Sequence, residues 1–176
     1  MDWKRELVIA HLVKAKIAEA DRDGLWPNTL PRVGASPETI HSAEQILGRG
    51  FSSSHKEFLL CADGWEGFYQ RVDILGTADY ANGTRLARGH MLLGASEDPN
   101  FSVEWRRSLL PVAVSSVDID VFAMAPETVD EPGVIYWFAG RLVDRFSDFE
   151  EWFLAMVDYN REEFRDLSGG SLSFEQ

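Results

Sequence analysis

Residues 134–157 read VIYWFAGRLVDRFSDFEEWFLAMV, and this stretch decides the fold class. Its opening, residues 134–138, is rich in aromatic and β-branched side chains, and it is followed by a turn at Ala139-Gly140 and by Leu142-Val143. This pattern is typical of a β-hairpin. A helix follows the hairpin directly, so the stretch predicts strands and a helix that share one core.

The helix after the hairpin carries a start signal and a broad apolar face. Ser147-Asp148-Phe149-Glu150 reads as a capping box, in which the serine oxygen and the glutamate bond to free amides of the first turn. The apolar side chains that follow are spaced three and four residues apart and are predicted to face the core: Phe149, Trp152, Phe153, Met156 and Val157.

Helices are also predicted at the amino-terminal end of the chain. Residues 2–20 form the first, with Asp2 as its cap and Lys14 mainly off its buried face. The predicted buried face consists of Trp3, Leu7, Ala10, Val13 and Ile17. After a loop at 21–35, Ser36-Pro37 begins a second helix.

The second helix is predicted to end at Gly48, because glycine adopts the left-handed conformation that closes a helix. Serines 52–54 cap a third helix, which Asp63-Gly64 ends.

Strands are predicted at 67–75, 109–114 and 117–124 before the hairpin. Residues 76–108 carry the weakest pattern, with a short helix over part of 99–107. The order of helices, then sheet, then helix predicts an α+β fold, with a largely antiparallel sheet packed by the N-terminal helices and a long C-terminal helix. Residues 1–167 are predicted to form one domain, and 168–176 a flexible tail.

Composition limits the compartment. Cys61 is the one cysteine, which excludes an internal disulfide. The start, MDWKRE, has mixed charges and no secretory signal pattern, and the longest apolar runs span six residues, far short of a membrane helix. The sequence therefore predicts a soluble, cytoplasmic protein without membrane association.

The net charge of −12 is concentrated in the second half of the chain. Residues 1–88 contain 11 Lys and Arg against 12 Asp and Glu, whereas residues 89–176 contain 6 against 17. Acidic surfaces repel phosphate backbones and attract basic proteins. The charge disfavours nucleic-acid binding and favours a basic protein partner, although acidity alone also serves solubility.

Motifs for catalysis, metals and cofactors are absent from the sequence. The four histidines are scattered, and the pair His41 and Glu44 supplies two metal ligands at most. Gly94-Ala95-Ser96-Glu97-Asp98 lacks the last glycine of a nucleophile elbow, and Gly48-Arg49-Gly50 lacks the preceding strand of a dinucleotide-binding loop. We predict no catalytic residue, no metal and no cofactor.

One pair of carboxylates has functional potential. If 117–124 is a strand, Asp118 and Asp120 project from the same face, while Ile119 and Val121 face the core. Two solvated aspartates are the simpler interpretation. As binding residues they belong to one acidic, loop-rich stretch that would contact a basic partner: Asp118, Asp120, Glu127, Asp130 and Glu131.

The order of motifs resembles the SUKH superfamily, which includes fungal cell-wall assembly regulators of the Smi–Knr type. The opening helix Ile40-x-x-Ala43-Glu44-x-x-Leu47-Gly48 is similar, as is Lys56-Glu57-Phe58-Leu59-Leu60 with Asp63-Gly64. The later motifs are Leu110-Pro111-Val112, Gly133-Val134-Ile135-Tyr136 and Ser147-x-Phe149-Glu150-Glu151-Trp152-Phe153. The resemblance covers about residues 36–157, and the helix at 2–20 is extra.

The resemblance implies a non-enzymatic α+β binding scaffold. Bacterial members are mostly regarded as immunity proteins that neutralise toxins, often nucleases, and fungal members as regulatory scaffolds.

The sequence as a whole leaves three hypotheses for the function. They are an immunity protein that binds a basic toxin, a regulatory or scaffolding adaptor without a toxin partner, and an enzyme built on Asp118 and Asp120. The sequence is silent on oligomeric state.

Overall fold

The computed structural model describes residues 1–126 and 131–169. Seven helices and six strands lie within these residues. The helices are α1 Trp3–Ala20, α2 Pro37–Leu47, α3 Ser53–Cys61, α4 Thr77–Asn82, α5 Thr84–Ala95, α6 Val103–Ser108 and α7 Phe149–Leu167. The strands are β1 Trp65–Tyr69, β2 Val72–Ile74, β3 Leu110–Ser115, β4 Asp120–Met124, β5 Ile135–Ala139 and β6 Leu142–Phe146. No helix of the described residues is long and apolar enough to span a membrane.

The six strands form one sheet in chain order, and every neighbouring pair is antiparallel. Most connections are short, whereas the one from β2 to β3 contains α4, α5 and α6. The predicted α+β fold with an antiparallel sheet, N-terminal helices and a C-terminal helix is confirmed.

Helices cover both faces of the sheet. On β4, the ring of Phe122 lies 5.4 Å from that of Trp152 in α7. Its neighbour Val121 points to the opposite face, towards α5. There Gly89 approaches β3 so closely that a Cβ on it would lie 2.6 Å from the Pro111 side chain. Because both faces are covered, all six residues of β3 are buried, which explains its continuous apolar sequence.

The predicted start and stop signals of α2 are confirmed, whereas α3 ends at Cys61, before the predicted Asp63-Gly64. The Ser36 side chain accepts a hydrogen bond from the Thr39 amide at 3.2 Å, and Gly48 ends α2 in the left-handed conformation at φ 67°. The predicted strand at 67–75 is two strands, because the chain turns between β1 and β2 at Gln70, whose φ is 47°.

Helix α7 begins one residue later than its predicted capping box. Asp148, not Ser147, caps it by accepting from the Glu151 amide at 2.8 Å. Glu151, not Glu150, then accepts from the Ser147 amide at 2.5 Å. The aspartate displaces the serine because its carboxylate is the stronger acceptor.

Helix α1 is part of the core. The Trp3 ring lies 5.4 Å from Phe58 of α3 and 5.9 and 5.3 Å from Phe149 and Phe153 of α7. These contacts join α1, α3 and α7 around one aromatic cluster.

The prediction that Lys14 lies off the buried face of α1 is wrong. Its side chain is 4% exposed, and Nζ donates to the carbonyl oxygens of Pro27, at 2.8 Å, and of Gly67. Burial lowers the pKa of Lys14 to about 8. Lys14 thus links α1 to the loop at 21–35 and to β1, a role that the local pattern of α1 does not indicate.

Candidate protein-binding surface

The two aspartates singled out in the sequence lie where the chain turns from β3 into β4. Ser115 Oγ accepts from the Asp118 amide at 2.9 Å, so the turn continues through residue 119 and β4 begins only at Asp120. The predicted strand start at 117 is therefore wrong. Ile119, expected in the core, is 51% exposed.

Asp118 and Asp120 differ in their surroundings. Asp118 is exposed, whereas Asp120 is half-buried and its Oδ1 accepts from the Trp137 indole N–H at 2.7 Å. Burial raises the pKa of Asp120, and the negative charge of Asp118 adds to that increase. The expectation of two solvated aspartates holds for Asp118 only.

Trp137 belongs to a cluster of three partly exposed aromatic side chains. Its ring lies 6.4 Å from Tyr69 at the end of β1 and 5.9 Å from Tyr159 of α7, nearly perpendicular to both. The two tyrosine rings are 5.9 Å apart. Trp137 also stacks on the buried Phe122 at 5.1 Å, which holds the indole in place.

A second indole–carboxylate pair lies beside this cluster. Trp26 donates to Glu163 Oε1 at 2.9 Å, and Gln70 donates to Glu163 Oε2 at 3.3 Å. Burial, followed by the negative charges of Asp120, Glu163 and Glu162, raises the pKa of Tyr69 to about 12. The aromatic cluster therefore lies in a negative electrostatic field.

We call this region the acidic–aromatic surface, and it consists of Tyr69, Asp118, Asp120, Trp137, Tyr159, Glu162 and Glu163. Tryptophan and tyrosine are enriched among the residues that dominate binding energy at protein interfaces, and carboxylates select basic partners. Sequence reasoning missed the aromatic members, because nothing in the local pattern indicates that β1, β5 and α7 bring them together.

The other predicted binding residues are not part of this surface. Glu131 is exposed and pairs with Arg145 at 2.8 Å, and Arg145 lies opposite Tyr136 near the start of β5. Asp120 lies opposite Ala139, at the other end of β5. The single acidic stretch expected from the sequence is therefore divided between the two ends of strand β5. Glu127 and Asp130 lie outside the described residues.

A network of arginine contacts positions the turn that carries Asp118. Arg88 of α5 donates to the carbonyl oxygens of Ser115 and Asp118 at 2.7 and 2.6 Å. Arg85, one turn earlier, bonds to Asp73, Asp79 and Glu66. Both arginines line a cavity of about 630 Å³ beside α5, but their guanidinium groups are engaged by the protein itself. The cavity is thus a less suitable binding site than the acidic–aromatic surface.

Asp120→Asn is expected to leave stability unchanged or to raise it at neutral pH. The asparagine oxygen can still accept the Trp137 N–H, while the charge that burial disfavours is removed. Because the pKa of Asp120 is higher in the folded than in the unfolded protein, its charge destabilises the fold at pH values above the folded-state pKa. This destabilisation disappears as the pH falls towards the unfolded-state pKa of about 4. The gain from the substitution should therefore be larger at pH 7 than near pH 4.

Urea unfolding followed by tryptophan fluorescence measures this effect, with Asp118→Asn as the exposed control. A clear loss of stability in Asp120→Asn at neutral pH would show that the charge itself supports the fold.

Comparison with known proteins supports a family assignment. The model of the SMI1 / KNR4 family (SUKH-1) matches residues 34–155, more than half of the chain. The chain belongs to the SUKH-1 family. This confirms the resemblance seen in the sequence, and α1 lies outside the match.

One known protein is similar to this SUKH-1 chain over most of its length. YnaB of Bacillus subtilis (strain 168), described as an uncharacterized protein, is 24% identical over 137 residues, which are 76% of this chain and 84% of YnaB. The family match includes four residues of the acidic–aromatic surface: Tyr69, Asp118, Asp120 and Trp137. Tyr159, Glu162 and Glu163 lie beyond it in α7.

Proposed function

We propose that this SUKH-1 protein is a non-enzymatic protein-binding module that acts as an immunity protein. Its target would be a basic toxin domain, such as a nuclease, which it neutralises by covering the active cleft. The observation that carries the proposal is the acidic–aromatic surface, where three partly exposed aromatic rings lie beside four carboxylates.

Electrostatics supports this partner class. The chain carries a net charge of −12, and proteins that act on nucleic acids present basic clefts to phosphate. An acidic face steers such a cleft towards it at long range, and buried aromatic contacts then slow dissociation. Binding alone would block the toxin, so no reacting group is required.

The surroundings of Asp120 suit a role in binding. Asp120, the half-buried member of the acidic pair, is held by Trp137. In the described residues, no group of three or more histidine, cysteine, aspartate or glutamate side chains is arranged to hold a metal ion. A regulatory adaptor would use the same surface, so the identity of the partner separates the two functions.

The proposal is tested by recovering the partner. The purified chain is used as bait in an extract of its native host, and the captured protein is assayed for toxin activity with and without added chain. Capture of a basic toxin domain whose activity falls on one-to-one mixing is the expected result. Tight capture of a protein without toxic activity would replace the immunity role by that of an adaptor.

Charge reversal at the surface is expected to slow association with that partner. Asp118→Lys reverses an exposed charge beside Asp120, and we expect the association rate to fall roughly three- to tenfold at low salt and less at high salt. Stopped-flow mixing measures the rate. Glu57→Lys, an exposed reversal on α3, changes the net charge equally and is the matched control. Equal slowing by both variants would show that only net charge matters.

A further inference from the structure

Asp118 and Asp120 lack a cationic partner within the described part of the chain. The more buried carboxylates of Asp73 and Asp79 both bond to Arg85, and even the exposed Glu131 pairs with Arg145. By contrast, no lysine or arginine among residues 1–126 and 131–169 forms an ion pair with Asp118 or Asp120. A half-buried carboxylate beside a like charge is stabilised by a cation that arrives from outside.

The aromatic rings beside Asp120 provide surface for such a cation. Trp137 keeps part of its surface exposed, and Tyr159 is 36% exposed. A cation within about 6 Å of an aromatic centroid is attracted by the negative face of the ring. Because an indole N–H lies in the ring plane, the carboxylate that accepts it lies at the rim of Trp137. One cationic group can therefore contact both the rings and the carboxylate.

We propose that the acidic–aromatic surface is an arginine-binding site. One arginine side chain of the partner lies against Trp137 and Tyr159, and its guanidinium donates to Asp120 Oδ2, the carboxylate oxygen that does not accept from the indole. The inference rests on the proposed function for the source of that arginine. The site itself can be tested with a free arginine derivative.

The chemistry of the site selects arginine over lysine. Guanidinium is planar, stacks on aromatic rings, is weakly hydrated and donates from a wide fork, so it can contact a ring and a carboxylate at once. Ammonium is compact and strongly hydrated, and it loses more solvation on leaving water. The neighbouring charges of Asp118, Glu162 and Glu163 add attraction for either cation.

The test is a titration of the full chain with N-acetyl-L-arginine amide, observed through the indole N–H signals of ¹⁵N-labelled protein. The Trp137 signal is assigned with Trp137→Phe. We expect a saturable shift of that signal with a dissociation constant on the order of millimolar, the range of a single side chain. N-acetyl-L-lysine amide should bind roughly fivefold more weakly. N-acetyl-L-citrulline amide, which has nearly the same shape and no charge, should produce no saturable shift.

Two variants separate the charge from the rings. Asp120→Asn keeps the acceptor of the Trp137 N–H and is expected to weaken arginine binding about fivefold or more. Tyr159→Leu removes a ring from the exposed side of the cluster and should weaken binding about threefold. Glu131→Gln, at the other end of β5, is the control that should bind like the wild type.

The inference is overturned if citrulline amide shifts the Trp137 signal as arginine amide does, if Asp120→Asn and Tyr159→Leu both bind like the wild type, or if no shift occurs up to about 50 mM. These failures are distinct from failure of the proposed function. Arginine binding without a toxin partner would contradict the immunity role alone. A toxin partner with no arginine response would contradict the arginine site alone.

Discussion

Arg85→Met is expected to lower the free energy of unfolding by about 3 kcal/mol. Arg85 donates to Asp73 at 2.9 Å and to Asp79 at 3.3 Å, and these aspartates are only 7% and 6% exposed. Methionine preserves much of the side-chain length but leaves the two carboxylates without this cation. Arg32, at 3.2 Å, still supports Asp79, so the greater cost falls on Asp73.

Urea unfolding monitored by tryptophan fluorescence measures the loss. Arg161→Met, which removes an exposed ion pair with Asp158 on α7, is the matched control and should change stability by less than about 0.5 kcal/mol. A loss below about 1 kcal/mol in Arg85→Met would show that solvent compensates the carboxylates. Restoring stability by adding Asp73→Asn to Arg85→Met would confirm that the uncompensated charge of Asp73 is the cause.

His55→Phe is expected to stabilise the protein and to remove part of its sensitivity to acid. His55 is fully buried, its ring stacks on Phe149 at a centroid distance of 4.5 Å, and neither ring nitrogen has a hydrogen-bond partner among the described residues. Phenylalanine keeps the aromatic contacts without the two unsatisfied nitrogens. The gain at neutral pH should be about 1–2 kcal/mol.

The pH dependence of the stability follows from the lowered pKa of His55. Burial lowers the pKa of His55 to about 3, so the folded protein holds the imidazole neutral. The unfolded chain takes up a proton below about pH 6.5, and stability is therefore lost as the pH falls from 6.5 towards 3, by about 1.4 kcal/mol per pH unit. His55→Phe removes this loss, so its advantage over the wild type should grow by roughly 2 kcal/mol between pH 7 and pH 5.

Urea unfolding of the variant and the wild type at pH 7 and pH 5 tests this prediction. The control is His41→Gln, which removes an exposed histidine on α2 and leaves the aromatic core untouched. An advantage of His55→Phe that is equal at both pH values would show that His55 does not resist protonation in the folded state.

The residues of the acidic–aromatic surface differ in how much they contribute to the core of the protein. Asp118, Glu162 and the exposed part of Tyr159 contribute little to the core and are free to serve recognition. Trp137 does both, since it stacks on Phe122 inside the sheet and presents its rim to Asp120. For this reason the arginine site is best tested at Asp120 and Tyr159, where loss of binding and loss of folding are separable.

The amino-acid sequence by itself determined the elements that depend on neighbouring residues. Asp2 and Ser36 cap their helices, Gly48 ends α2, and the hairpin of β5 and β6 precedes the long amphipathic α7, all as expected. Caps, turns and apolar periodicity act over three or four residues, so they can be recognised without knowing the partner of each face.

Only the tertiary structure decided where long-range partners meet. Helix α5 was not predicted because Gly89 and Gly94 weaken its helical pattern, although Gly89 permits the close approach to Pro111. Helix α4 was not predicted because it has only six residues, too few for a clear apolar period. Lys14 is buried because the carbonyl oxygens of two distant segments accept hydrogen bonds from its ammonium group. Trp137, Asp120 and Tyr159 converge because the order and register of the strands bring β4 beside β5 and α7 lies across them. Neither order nor register is encoded in any single stretch of sequence.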